Sequence, residues 1–161
     1  MWADRFYLLE FLGYSVITTK CVELEFVEEH PNSRNYFLKL LKQNKISLFP
    51  LEIDDIIEMA NFPNSKRASN AELSCFAIAK RIGGKVMTDD DRAVKYLKKY
   101  IYSMPSVSAI SLVDVLLEAY VNFYLGDHDL RSIQSTLTAN QYCIKGDLVA
   151  QGAIRRLSNR L

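Results

Sequence analysis

The sequence predicts an α/β domain on a mainly parallel central sheet. Short β-branched or apolar runs alternate with amphipathic helical stretches along most of the chain. With 161 residues and 49% hydrophobic side chains, the chain can bury a core unaided and is most simply a single domain. Acidic side chains recur just past the strand ends, where open parallel sheets place their ligands.

The elements follow in order. Residues 6–12 carry Phe6, Leu8, Leu9, Phe11 and Leu12 around Glu10, two helical turns that Gly13 stops. Residues 14–18 are short, β-branched and apolar, as a buried strand requires. Thr19 caps a helix whose Val22 and Phe26, and Glu23 and Val27, repeat at i, i+4 until His30-Pro31-Asn32 breaks it. Residues 35–42 make another amphipathic helix through Phe37, Leu38, Leu40 and Leu41. A strand over 46–51 takes Pro50 at its end or edge, 54–60 is a short helix, and 61–68 is a loop. Ser69 or Asn70 caps a helix that runs to Ile82 and is closed by Gly83-Gly84. A strand over 85–88, a helix over 90–99, a short strand over 106–109 and a helix over 112–125 come next. Two more helices, 130–139 and 147–157, complete the chain, so 1–125 is expected to be the main domain and 126–161 a helical extension packed on it.

Twenty basic against nineteen acidic side chains leave a net charge of +1, so any nucleic-acid site must be a local patch. A charged fraction of 24%, with apolar residues spread end to end, argues against disorder. The apolar stretch 110–117 is interrupted by Ser111 and Asp114, so no membrane span is expected. Met1-Trp2-Ala3-Asp4 lacks a basic leader, and Cys21, Cys75 and Cys143 are widely spaced without a C-x-x-C, which together predict a reducing cytoplasm. The cysteines read as small packed hydrophobes. His30 and His128 stand isolated, which leaves little material for a zinc site or a Ser-His-Asp triad. Chemistry therefore falls to carboxylates.

Four places put acids beyond strand ends: Asp4, Glu23, Glu72 and the run Asp89-Asp90-Asp91. Singly, each has an ordinary explanation as a helix cap or a first-turn acid. Three adjacent aspartates repel, however, and a cation is their natural compensation. On the same ground Asp90→Asn is expected to leave the metal-free fold intact or to stabilise it. Converging at one sheet edge, these acids would make an oxygen-rich pocket suited to Mg²⁺ or Mn²⁺.

Asp4 followed by Leu8-Leu9, then Cys21-Val22-Glu23-Leu24, then residues 71–80 and the Gly84-to-Arg92 segment with Thr88-Asp89-Asp90-Asp91 resemble the motif order of PIN-domain ribonucleases. The similarity is to the VapC-type toxin-like branch; it spans about residues 1–125, and its specific part runs from Glu72 to Asp90. The resemblance implies a three-layer α/β/α PIN-like fold with extra C-terminal helices. It implies a metal-dependent endoribonuclease cleaving single-stranded RNA, the toxin of a toxin–antitoxin pair, with RNA, an antitoxin protein and a second copy of the chain as partners. Asp4, Glu23, Glu72 and Asp90 then carry over as catalytic residues, Asp4, Glu72, Asp89 and Asp90 as ligands of Mg²⁺ or Mn²⁺, and Thr88 and Asp91 as residues that fix the ligands. Such a metal would lower the pKa of a bound water and neutralise the scissile phosphate.

An anionic pocket needs a basic rim to attract RNA, and Lys66, Arg67, Arg92 and Lys95, with Lys98 and Lys99 beyond, are placed to supply it. Their bland reading is an ordinary solvated face. Tyr96, Tyr100 and Tyr102 interleave with these lysines and would either stack on bases or fill the core. Arg5 stands where the family usually has Thr, Ser or Asn, and the first strand is cut to three residues. These departures motivate a second reading, a catalytically reduced PIN-like nucleic-acid-binding or protein-interaction module. A receiver-like signalling domain also places acids at strand ends, but its acidic pair near the first strand and its Lys after the last strand are not clear here.

Overall fold

The computed structural model describes residues 5–25, 31–63, 68–100 and 108–158. Their elements, in chain order, are α1 (Tyr7–Phe11), β1 (Val16–Thr18), α2 (Lys20–Glu25), α3 (Pro31–Lys42), β2 (Ile46–Leu48), α4 (Ile53–Asn61), α5 (Asn70–Ile82), β3 (Lys85–Met87), α6 (Asp91–Tyr100), β4 (Ser108–Ile110), α7 (Leu112–Val121), α8 (Asp127–Ala139) and α9 (Leu148–Ser158). The fold is mixed α/β and mostly helical. No helix among the described residues is long and apolar enough to cross a membrane. The chain divides into two compact units, Ser15–Ile110 and Met1–Tyr14 with Ser111–Leu161.

In the first unit, β1 pairs with β2 in parallel, Val16 opposite Ile46 and Thr18 opposite Leu48, and β3 pairs with β4, Lys85 opposite Ser108 and Met87 opposite Ile110. The sheet expected to be single therefore takes the form, among the described residues, of two parallel pairs. The residues expected as the first strand, 1–3, lie outside the described ones. The expected strand over 46–51 stops at Leu48. Phe49 N–H still reaches Thr18 O at 2.7 Å, but Pro50 has no N–H to continue the ladder. α3 begins at Pro31, a turn earlier than expected, because the first helical position has no N–H bond to lose. The core here gathers Phe62, Phe76, Ala77, Ala79, Val86, Ala93, Tyr96 and Leu97. Tyr96 lies among these residues and its hydroxyl donates to Pro63 O at 2.7 Å, so it is a core residue rather than a base-stacking one.

α5 is the pivot of this unit, packing on α4, α2 and β3. It meets α4 through charge. Asp55, 2% exposed, takes two bonds from Arg81, Nε to Oδ1 at 2.9 Å and a terminal nitrogen to Oδ2 at 3.0 Å. Lys80 pairs with Glu58, and Arg81 also reaches Glu52 at 2.6 Å.

The second unit packs α1, α7, α8 and α9 around Leu8, Leu116, Leu117, Tyr120, Leu130, Ile133, Leu137 and Leu148. α9 lies against α7 at Gly152, where a Cβ would stand 2.7 Å from Tyr120 Cε1 and closer still to Cδ1. Arg156 lies over that same ring, 3.5 Å from its centroid, and donates to Tyr120 O at the end of α7. The helix expected over 112–125 stops at Val121. Phe123 adopts φ 62°, and Tyr124 N–H turns back to Ala119 O at 2.9 Å, a left-handed helix end of the kind glycine usually supplies.

Candidate functional site

In the unit 15–110, β3 follows α5 through Gly83-Gly84 and packs on it. Glu72 lies in the first turn of α5, and Thr88 to Asp91 follow β3. The charge of Glu72 is felt at the Arg92 guanidinium, whose pKa rises first through its hydrogen bond to Asp90 and, to a lesser degree, through Glu72.

Glu72 has a local structural role. Its Oε2 accepts from Ser69 N at 2.8 Å while Ser69 Oγ accepts from Glu72 N at 3.2 Å, a reciprocal cap visible in the sequence as Ser-x-x-Glu. Asp90 stands at the N-cap of α6, its carbonyl accepting from Val94 N at 2.9 Å. Its Oδ1 accepts from Arg92 N at 2.7 Å and its Oδ2 from the Arg92 guanidinium at 3.1 Å. These bonds, the side-chain one foremost, hold the Asp90 carboxyl below the usual carboxylate range. Thr88 Oγ1 accepts from Asp90 N at 3.2 Å and so ties down the Asp90 backbone. Asp89 and Asp91 are exposed.

Glu23 is placed by Thr19. Thr19 Oγ1 accepts from Val22 N at 3.2 Å and caps α2. The Ser74 hydroxyl donates to Ala71 O at 2.7 Å, so the 2.7 Å bond between the two buried hydroxyls runs from Thr19 to Ser74. This latch sets α2 on α5. Burial pushes the Cys75 thiol up to about 11, and the charges of Cys21, Glu25 and Glu72 add to the rise. Glu23, part-buried in α2, pairs with Lys20 at 2.6 Å. The structure therefore pairs Asp90 with Arg92, a guanidinium that also feels the charge of Glu72, and leaves Glu23 on a neighbouring helix with its own cation.

On α6, Ala93, Tyr96 and Leu97 are buried while Arg92, Lys95, Lys98 and Lys99 are exposed, so a basic row runs from the Asp90 end along the helix. Lys99 lies 4.8 Å from the centroid of the Tyr100 ring. Asp4, Lys66, Arg67 and Tyr102 fall outside the described residues.

In chemistry, an all-carboxylate set fits a hard divalent ion. In geometry, no three Asp, Glu, His or Cys side chains among the described residues form a group that could hold one. No protein-family model, curated protein or solved structure matches this chain.

Proposed function

We propose that this chain is a metal-dependent endoribonuclease acting on single-stranded RNA, built on a three-layer PIN-like arrangement and working as the toxin of a toxin–antitoxin pair. The observation that carries the reading is the basic row on α6, which starts beside the Asp90–Arg92 ion pair at 3.1 Å. A bound Mg²⁺ or Mn²⁺ would supply water activation and charge neutralisation, with Glu72, Asp89 and Asp90, together with Asp4, as its ligands and Glu23 as a further acid. The chain's own residues prepare that role. Ser69 holds the Glu72 carboxylate through its N–H, Thr88 holds the Asp90 backbone, and Asp91 lies in the first turn of α6. Lys95, Lys98 and Lys99 attract the nucleic-acid backbone, with Lys66 and Arg67 as further cations. Arg92, paired with Asp90, would exchange that carboxylate for a phosphate.

A second reading, a catalytically reduced nucleic-acid-binding or interaction module, is favoured by one observation: Glu23, Glu72 and Asp90 each already have a local partner. One experiment separates the two. Chain freed of metal with EDTA is incubated with single-stranded RNA with and without added Mg²⁺ or Mn²⁺. The nuclease reading expects cleavage only with the metal, falling on the order of 100-fold or more in Asp90→Asn and in Glu72→Gln while circular dichroism stays unchanged. RNA binding without any metal-dependent cleavage overturns it in favour of the module.

A further inference from the structure

α6 carries most of its cations without anions. Lys95, Lys98 and Lys99 are exposed and pair with no acid among the described residues, while Arg92 is held by Asp90. Like charges three and four residues apart on a helix repel, and a polyanion lying along them relieves that repulsion. The apolar stripe of the same helix, Ala93, Tyr96 and Leu97, is buried, but its next member, Tyr100, emerges 39% exposed at the end of the basic row. The Tyr100 ring is anchored all the same. Its centroid lies 4.8 Å from that of Tyr96, and Tyr96 is stacked on Phe76 and tied through its hydroxyl to Pro63 O. Cations that track phosphates beside a fixed ring that accepts a base are the means by which proteins hold single strands. We propose that Tyr100 is a platform on which an unpaired nucleobase stacks, while Lys95, Lys98 and Lys99 follow the phosphates of the same strand. This rests on nucleic acid being the ligand of α6, but not on its cleavage.

Lys99 bears on the strength of such a site, because its ammonium already lies over the Tyr100 ring, 4.8 Å from the centroid. An exposed lysine over an aromatic ring shifts an equilibrium about 2- to 5-fold, whereas a base stacked on an aromatic side chain shifts it about 5- to 150-fold. The base therefore displaces the ammonium, and the freed Lys99 turns to a phosphate. From Arg92 to Tyr100 the helix rises about 12 Å, room for a few nucleotides.

The same ring sets the choice of strand. Bases in a duplex stack on one another and present only their edges in the grooves, so Tyr100 finds no base face there. α6 then holds a duplex by charge alone and a single strand by charge and stacking together.

The test uses the full chain in EDTA, where metal-dependent cleavage cannot intervene. Fluorescence anisotropy follows three labelled probes: a short oligouridylate, a strand of the same length with abasic sugars, and a short RNA duplex. Wild type is expected to bind the oligouridylate most tightly. Tyr100→Ala should weaken that binding about 5- to 150-fold and leave the abasic strand and its salt dependence unchanged, whereas Tyr100→Phe, which keeps the ring, should bind as wild type does. Lys95→Gln/Lys98→Gln should weaken all three probes and flatten their salt dependence. The abasic arm guards against a disturbed helix end, since damage to α6 would weaken the binding of that strand as well. An oligouridylate affinity unchanged in Tyr100→Ala overturns the platform, as does equal loss on the abasic strand. Wild type that binds the abasic strand as tightly as the oligouridylate also overturns it and makes α6 a surface for any polyanion, an acidic protein included. No binding of any probe overturns it too. A chain that binds through Tyr100 yet never cuts RNA with added Mn²⁺ overturns the nuclease reading and leaves the platform standing.

Discussion

Asp90 carries a stabilising charge in the metal-free protein, which reverses the expectation drawn from three adjacent aspartates. Arg92 donates to it from backbone and side chain, so the nearest charge to this carboxylate is a cation. A carboxyl held below its ordinary pKa adds stability above that ordinary value and loses it as pH falls through the depressed one. Asn caps a helix as well as Asp does, so Asp90→Asn gives up only a part-exposed ion pair, less than ~1 kcal/mol. Urea titration of EDTA-treated protein should show the variant slightly less stable at neutral pH and equal to wild type well below the carboxylate range. A variant more stable at neutral pH would restore the repulsion argument. Gly152 acts through space rather than charge. Tyr120 cannot withdraw from an added Cβ, because its hydroxyl donates to Asp127 at 2.7 Å and Arg156 covers its ring. Gly152→Ala is therefore expected to cost about 1–3 kcal/mol, and an unchanged denaturation midpoint would show that α9 can shift freely. Of the candidate site, the Ser69–Glu72 cap and the helix-capping member of the aspartate run could be read in sequence, because each is a contact within three residues. The seating of α2 on α5 could not, since it depends on the bond between Thr19 and Ser74, far apart in sequence.

At the scale of elements, α4 and α5 show how a pattern can be legible while its orientation is not. Residues 54–60 read as a short helix, and a helix is there, but the side that packs carries Asp55 and Glu58 beside Met59. The pairing acids and bases lie more than twenty residues apart, so no local rule links them. Burial alone would raise the Asp55 pKa; the Arg81 hydrogen bonds, the Glu52 N–H and the guanidinium charge outweigh it and bring it below the ordinary value. The pair therefore stabilises the unit above the ordinary carboxylate range, and that contribution is lost as pH falls through the depressed value. Asp55→Asn keeps the shape but leaves Arg81 without its bidentate anion, at an expected cost of ~2–4 kcal/mol. The deficit should be full at neutral pH and shrink in acid; a deficit that does not change with pH would assign the loss to packing instead. Helix ends divide in the same manner. Gly13 and Gly83 announce the ends of α1 and α5, with φ of 75° and 69°. α7 and α8 end on Phe123 and Gln141, each at φ 62°, residue types that carry no such signal.

For the whole molecule, hydropathy shows enough apolar residues for a core but not which segments share one. Among the described residues, one buried cluster lies within Ser15–Ile110 and another draws on both ends of the chain. Alternating strands and helices made the first legible as α/β, since each parallel pair is joined by helices next to it in sequence. The second depends on a contact across most of the chain: α1 packs on α7, and the Tyr14 hydroxyl donates to Glu118 at 2.8 Å. Bringing such distant segments together has an entropic cost that grows only slowly with the length between them, so a few well-buried side chains can hold the closure. Leu8, 2% exposed in the five-residue α1, is the principal one. A helix that short has no stability of its own and persists only through its packing. Leu8→Ala should therefore cost ~2–5 kcal/mol, the price of a buried leucine and the cavity it leaves. The loss should not stay at the N-terminus, because Leu8 shares its cluster with Leu116, Leu117 and Tyr120 of α7. Amide exchange in α7 and α9 is expected to speed up along with that of α1. Exchange confined to α1 would mean that the 111–161 helices hold their core unaided and that α1 is only an adornment upon it.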